Sequence, residues 1–368
     1  MVSSHRRRFA ASRTLTTSLA LAASVALASA PLAGAQSTVE ANGTIAVSSL
    51  GTTNTAPGSV AGSLEALGSL TPTEPETPAT YDSYVALGDS YAAFGDQTRS
   101  AGGPPLCARS LTNYPTVLDA HPRVGELTDA TCGGAIIPSL TGFQYDGVPA
   151  QLDALDADTD LVTLSIGGND VGFGTIVDCI TKRNDYATTP NCRAELDDDI
   201  TAAIDSVFGA GTEGDVPVAT KVDTIYALIE EKAPDATVVA TQYLPLMPAE
   251  GESCAFTEQL VPDDVTWARE VTARINAAVD AAAVRNGHVS VLPVDPTVDR
   301  SACGNDDERW TDFTGGAPTG AYPMHPTALG QEAMATRSLP PSDRRHPAAA
   351  TAARRHGVSP APRCRPDA

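Results

Sequence analysis

The chain has 368 residues, 42% of them hydrophobic and 5% aromatic, and its 45 acidic residues outnumber its 24 basic ones. That length admits one large domain or two small ones. An acidic surface repels phosphate backbones, which excludes nucleic acid as an expected partner. The charge is segmented: residues 36–335 carry 43 acids against 13 bases, while residues 336–368 hold seven arginines and two aspartates.

Residues 1–35 read as a secretory signal peptide. Arg6-Arg7-Arg8 precede the Ala/Leu-rich run Leu15–Ala30, and Ala33-Gly34-Ala35 forms a small-x-small cleavage site before Gln36. Arg6-Arg7-Arg8-Phe9 also fits a twin-arginine signal, so both export routes stay open. No later apolar run reaches transmembrane length, so a secreted, extracellular protein without stable membrane insertion is expected. Residues 36–80 are rich in Thr, Ser, Gly, Ala and Pro and end in Thr71–Pro78. Such a composition cannot bury a core and predicts a disordered linker. Asn42-Gly43-Thr44 within it is a glycosylation sequon.

The folded domain is predicted over residues 81–335. Apolar runs suit strands at Tyr84–Gly88, Val124–Ala130, Leu161–Ile166, Thr237–Tyr243 and Val289–Val294. Between them helices are predicted over Leu111–Ala120, Glu195–Phe208, Val218–Lys232 and Asp263–Asn286, and a last one from Thr327 to Ala335. Strands alternating with helices imply an α/β fold, a mainly parallel five-stranded sheet and helices on both faces. Function then gathers at the carboxyl ends of the strands. From Thr336 onward the apolar period is lost and the charge reverses. Residues 336–368 are expected to form an anomalous basic, disordered tail, either natural or the product of a frame change near residue 336.

Tyr84–Gly95 is the stretch around which the domain is organised. Its strand breaks at Gly88-Asp89-Ser90, placing a serine on a glycine-led turn at a strand's carboxyl end. Alone, Ser90 fits an N-cap as well as a nucleophile. A nucleophile needs a base and an oxyanion site. His5 lies in the leader, and His346 and His356 lie in the tail. Of the remaining three, His121 closes a helix and His288 begins a strand, both ordinary structural positions. His325, in Tyr322-Pro-Met-His-Pro326, sits on a loop running into the last helix. Two strand ends offer oxyanion donors: Gly133-Gly134 after the second strand, and Gly167-Gly168-Asn169-Asp170 after the third. Asp197-Asp198-Asp199 is expected to be a solvated helix start rather than a metal site.

Six of the seven cysteines lie within the domain, at 107, 132, 179, 192, 254 and 303, and Cys364 is left over. Export permits disulfides, but spacing leaves their connectivity open. None falls in CxxC or beside clustered histidines, which argues against zinc.

Gly88-Asp89-Ser90-Tyr91, Gly134, Gly168-Asn169-Asp170 and His325-Pro326 occur in the order of the SGNH/GDSL hydrolases, and the chain resembles that family over Tyr81–Ala335. It is most similar to the secreted actinobacterial lipase/esterase branch. The resemblance implies a flavodoxin-like three-layer α/β/α fold and sequential disulfides Cys107-Cys132, Cys179-Cys192 and Cys254-Cys303. It implies ester hydrolysis with Ser90 as nucleophile and His325 as general base. Ser90, Gly134 and Asn169 would form the oxyanion hole.

Two positions depart from the family. Many members carry Asp three residues before the histidine, where this chain has Tyr322. A Ser–His dyad follows, with a backbone carbonyl, that of Tyr322, orienting the imidazole. Asp312 is the best placed competing acid, ahead of Asp306 and Asp307. The other departure is Gly133, where many relatives have serine. The expected substrate is a small-molecule or lipid ester: lipids, phospholipids or simpler acyl esters. A carbohydrate-ester deacetylase and a non-catalytic binding module with relic motifs are the alternatives. The chemistry calls for no cofactor and no metal, and a monomer is expected.

Overall fold

The computed structural model describes residues 80–182, 191–209, 211–213 and 216–340. The leader, the linker up to residue 79, the tail beyond residue 340, Asn42, Cys364, His346 and His356 lie outside them.

Five parallel strands form the central sheet: β1 Tyr81–Gly88, β2 Val124–Asp129, β3 Leu161–Ser165, β6 Thr237–Thr241 and β7 Val289–Val291. Their spatial order is β2-β1-β3-β6-β7. Register places Tyr84 beside Leu161, Leu87 beside Leu164, and Leu164 beside Ala240. Every residue of β3 is buried, whereas the edge strand β2 alternates with solvent. A strand covered on both faces needs an unbroken apolar run, which is why Leu161–Ser165 is so legible. A short hairpin, β4 Gly211–Glu213 and β5 Val216–Val218, precedes the second half of the domain. A two-stranded antiparallel ladder, β8 Thr311–Asp312 and β9 His325–Pro326, lies outside the main sheet.

Alternate side chains of β1 enter different cores. Val85 and Leu87 join Val162, Leu164 and Val238 on one face. That face is covered by α3 Ile137–Thr141, α4 Phe173–Lys182, α5 Cys192–Phe208, α6 Lys221–Lys232 and α7 Pro262–Arg285. Tyr84 and Ala86 enter the opposite core. There they meet α1 Ser90–Ala93, α2 Tyr114–Asp119 and α8 Ala328–Ser338. On this face the hydroxyls of Tyr84 and Tyr114 both reach Thr163 Oγ1, at 2.8 and 3.2 Å, so these two buried phenols are paired. Fully burying side chains such as Ile229 in α6 and Leu87 in β1 stabilises by about 1.5–3 kcal/mol each.

Several elements differ from expectation. β6 ends at Thr241, so Tyr243 leaves the strand, and β7 stops at Val291. Helix α4 was not predicted; it starts directly after the Gly168–Gly172 turn, whose glycines mask its periodicity. Asp197 is not at a helix start. It lies in the second turn of α5 and accepts the Trp267 indole N–H at 2.6 Å, tying α5 to α7. Helix α8 continues through Ser338, which is buried, and Leu339 packs against the core. The last described residue, Pro340, accepts a hydrogen bond from Arg123 at 3.1 Å. Thr336–Ser338 are thus helical rather than the start of a tail.

Candidate active site

In a sheet of this order the winding reverses between β1 and β3, and the crevice beyond their carboxyl ends is the natural ligand site. Ser90 follows β1 and Asn169 follows β3.

The turn carrying Ser90 is held from several sides. Gly88 has φ +152°, and a Cβ there would lie 2.5 Å from the Ser165 carbonyl oxygen, so only glycine fits. The buried Gln151 amide clasps the Gly88 backbone, accepting from its N–H at 2.7 Å and donating to its carbonyl at 2.9 Å. Asp89 caps α1 by accepting the Tyr91 N–H at 2.9 Å. Burial pushes the Asp89 carboxyl up to about 7, against the donors that favour its charged form. At the far end of α1, the fully buried Gln331 of α8 donates to the carbonyls of Tyr91 and Phe94, at 2.9 and 2.7 Å. Its amide oxygen accepts the Tyr114 N–H at 2.7 Å.

His325 arrives on β9. Its Nδ1 lies 2.6 Å from the Pro323 carbonyl oxygen and its Nε2 lies 2.7 Å from Ser90 Oγ. A carbonyl only accepts, so Nδ1 carries the proton and Nε2 is free to accept from the serine hydroxyl. The ring packs among Tyr91, Phe94 and Phe173, with centroids at 5.5, 4.9 and 6.1 Å. That desolvation pushes its pKa down to about 4, opposed by the hydrogen bond to Pro323. The imidazole is therefore neutral at ordinary pH, the state a general base requires.

The orienting carbonyl belongs to Pro323, not Tyr322 as expected. The Tyr322 carbonyl is taken by the His325 backbone N–H at 3.2 Å. Met324, at φ +62°, turns the chain so that the Pro323 carbonyl faces the ring. Tyr322 contributes its side chain instead, stacked on Phe94 at 4.1 Å. Asp312 pairs with His325 in the β8–β9 ladder, but its carboxylate points elsewhere. It accepts from Thr319 Oγ1 at 2.6 Å, Arg309 Nη2 at 2.7 Å, and the Thr314 and Gly315 N–H groups at 3.0 Å each. Burial pushes this carboxyl up, but the Thr319, Gly315 and Thr314 bonds and the Arg309 charge outweigh it and hold it below the ordinary range. Asp306 pairs with Arg309 at 2.8 Å.

The oxyanion candidates converge through their loops. The Asn169 amide donates to the Ala135 carbonyl at 2.9 Å, and its second N–H remains available. Asp170 accepts the Ile137 N–H at 3.0 Å, joining the same two loops. Gly134 has φ +73°. Among the described residues, neither the Ser90 nor the Gly134 N–H donates to a protein acceptor. Gly133 has a steric reason: a Cβ there would sit 2.7 Å from the Phe94 ring, the same ring that packs on His325. His121 accepts from Arg123 N at 3.2 Å and His288 packs on Tyr226, both apart from Ser90.

Cys107–Cys132, Cys179–Cys192 and Cys254–Cys303 are disulfide-bonded. The first lies two residues before Gly134 and anchors its loop. Gln151, Tyr243, Phe94 and Gln331 also shape the site, and no motif or spacing in the sequence pointed to them.

A serine hydroxyl bonded to a neutral, carbonyl-held imidazole, beside unpaired N–H donors, is the equipment of a serine-dependent ester hydrolase. The profile of the GDSL-like lipase/acylhydrolase family matches residues 86–333. Lipase 2 of Streptomyces coelicolor is 34% identical over 261 residues, covering 70% of this chain and 84% of that protein. The lipase of Streptomyces rimosus is 32% identical over 197 residues, 54% of this chain and 62% of that one. The crystal structure of the extracellular S. rimosus lipase superimposes with a TM-score of 0.50 at 25% identity, covering 69% of this chain and 96% of that chain. Phospholipase A1 from Streptomyces albidoflavus gives a TM-score of 0.53 at 23% identity, with the same coverage. This chain belongs to the GDSL-like lipase/acylhydrolase family, and is a carboxylic ester hydrolase of the lipase/esterase kind.

Proposed function

We propose that the protein is a secreted lipase/esterase that cleaves acyl esters through an acyl-enzyme on Ser90. The observation that carries this reading is the 2.7 Å bond between Ser90 Oγ and His325 Nε2, with the Nδ1 proton held by Pro323. Ser90 Oγ attacks the ester carbonyl carbon while its proton passes to His325 Nε2. The N–H groups of Ser90 and Gly134 and the Asn169 amide receive the oxyanion. Collapse of the tetrahedral intermediate breaks the bond to the alcohol, which takes the proton from His325. Water, deprotonated by His325 Nε2, then attacks the acyl carbon; collapse breaks its bond to Ser90 Oγ, which takes the proton back from His325 as the carboxylic acid leaves. The Pro323 carbonyl fixes the tautomer as an aspartate would, but as a neutral group it stabilises the imidazolium only in part.

A lipid or other apolar ester suits the surroundings of the serine. Exposed Ile136 and Phe143 occupy the segment after Gly134, and exposed Leu106 adjoins the Cys107–Cys132 bond. The strong acidity of residues 36–335 disfavours anionic aggregates and favours neutral or zwitterionic esters. The leader-like residues 1–35, the disulfides and the extracellular S. rimosus relative support export. Among the described residues, no helix is long and apolar enough to cross a membrane. The test is a panel of p-nitrophenyl esters of graded acyl length, run beside a zwitterionic phospholipid and an acetylated sugar. Hydrolysis of the acyl and lipid esters, lost in Ser90→Ala, is expected. Turnover of the acetylated sugar alone would transfer the protein to the deacetylases, and no turnover at all would leave a binding module.

A further inference from the structure

The loops bearing Ser90 and Asn169 meet at one phenol. Tyr243, just past the end of β6, donates its hydroxyl proton to Asp89 Oδ2 at 3.0 Å. The same oxygen accepts the Gly168 N–H at 2.7 Å. Asp89 precedes the serine and Gly168 precedes Asn169, so one oxygen spans both halves of the site. The space it occupies exists only because residue 168 is glycine: a Cβ there would lie 2.8 Å from the Tyr243 oxygen. The phenol is itself fixed. Asn276 of α7 accepts the Tyr243 N–H at 2.8 Å and donates to its carbonyl at 2.8 Å, and the Tyr91 ring meets it edge-on at 4.9 Å. Burial holds the Tyr243 hydroxyl protonated, and the Asp89 carboxylate reinforces this when it is ionised, so the phenol keeps its proton.

We propose that Tyr243 is a positioning residue for catalysis: its hydroxyl, shared between Asp89 and Gly168, sets the distance from the Ser90 nucleophile to the Asn169 oxyanion donor. The inference rests on the roles assigned to Ser90 and Asn169 above. The hydroxyl touches no reacting atom and acts through the two loops it joins. An oxyanion donor is effective only where the charge develops, so a small shift of one loop against the other weakens the transition state more than the bound ester. Displacements of about 1 Å in such parts cost up to about 100-fold in rate.

Tyr243→Phe removes the bridging oxygen and keeps the ring. Its kcat is expected to fall about 10- to 100-fold with KM within about twofold, and fluorophosphonate labelling of Ser90 should slow in parallel. The decisive readout is a cycle with Asn169→Ala. If Tyr243 acts by placing Asn169, then Tyr243→Phe costs less than about threefold once the amide is gone. Asn276→Asp, which loses the donor to the Tyr243 carbonyl, approaches the same phenol from the other side and should lower kcat in the same sense. A purely structural role would lower the melting temperature while kcat per folded molecule stayed unchanged. That result, or a full cost of Tyr243→Phe in the Asn169→Ala background, overturns the proposal. Full activity of Ser90→Ala, measured alongside, would instead overturn the reading on which it rests.

Discussion

Gln331→Met isolates the contact that fixes the nucleophile against the histidine. Gln331 lies six residues after His325, in the helix that the histidine loop enters, and it binds both ends of the neighbouring α1–α2 segment. Methionine matches its length and volume, so packing loss is small, below about 1.5 kcal/mol. What is lost is hydrogen bonding to the Tyr114 N–H and to the carbonyls of Tyr91 and Phe94. Two of those contacts are fully buried, those to Tyr114 and Tyr91. At about 1–3 kcal/mol for each buried group left unpaired, the variant should lose roughly 2–6 kcal/mol of stability. For a domain of this size that corresponds to a fall of roughly 4–24 °C in melting temperature. Because α1 carries Ser90 and α8 follows His325, kcat should fall with it while KM changes little. Thermal denaturation followed by circular dichroism, with kcat measured well below the transition, checks both. Gln331→Glu should be worse at neutral pH, where a carboxylate faces two carbonyl oxygens, and should recover as acid protonates it. A Gln331→Met protein that melts within about 2 °C of wild type with full kcat would show that Gln331 does not hold Ser90 in place.

Three further outcomes follow from the same geometry. The His325 limb of kcat/KM should lie near pH 4, well below that of a free imidazole, because protonating His325 removes the base and burial opposes that protonation; Asp89, raised to about 7 beside the nucleophile, is removed from the profile by Asp89→Asn, and a limb near 6.5 that persists in that variant would show the ring to be solvated in the working enzyme. Asp312→Asn should keep kcat within about tenfold of wild type, since its carboxylate serves Thr319 and Arg309 rather than the imidazole, and its main effect should be a loss of stability at neutral pH that shrinks as acid titrates the wild-type carboxylate. A fall of several orders of magnitude with the fold intact would make Asp312 a catalytic acid. Replacing both cysteines of Cys254–Cys303, which close a separation of 49 residues, should destabilise by about 4 kcal/mol, against about 3 for Cys179–Cys192 with a separation of 13, as read by urea unfolding.

The parts of this molecule that the sequence displayed are those written in short-range pattern. β3 is buried on both faces and so reads as one apolar run, and Ser90, Gly134, Asn169 and His325 sit at strand ends or loop ends in a family order. What stayed hidden depends on residues brought together from afar. Gln331 and Tyr91 are 240 positions apart in the chain and Tyr243 and Asp89 are 154 apart, and nothing local to either pair marks it. The carbonyl facing His325 illustrates a finer limit. Counting back three residues gives Tyr322, but the left-handed conformation of Met324, unusual for a side chain of its size, turns the Pro323 carbonyl to the ring instead. The helical continuation to Ser338 was hidden because Thr336, Arg337 and Ser338 carry no apolar period, though Ser338 is buried with its hydroxyl on the Met334 carbonyl at 2.8 Å.

Ser90, activated by His325 held on a backbone carbonyl, is expected to form the acyl-enzyme. Rapid acid quenching during turnover of a p-nitrophenyl ester, followed by peptide mass mapping, reads this directly. An acyl adduct on the peptide containing Ser90, absent in Ser90→Ala and strongly diminished in His325→Ala, is the predicted result. Turnover with the acyl group on another residue, or undiminished acylation in His325→Ala, would contradict the account.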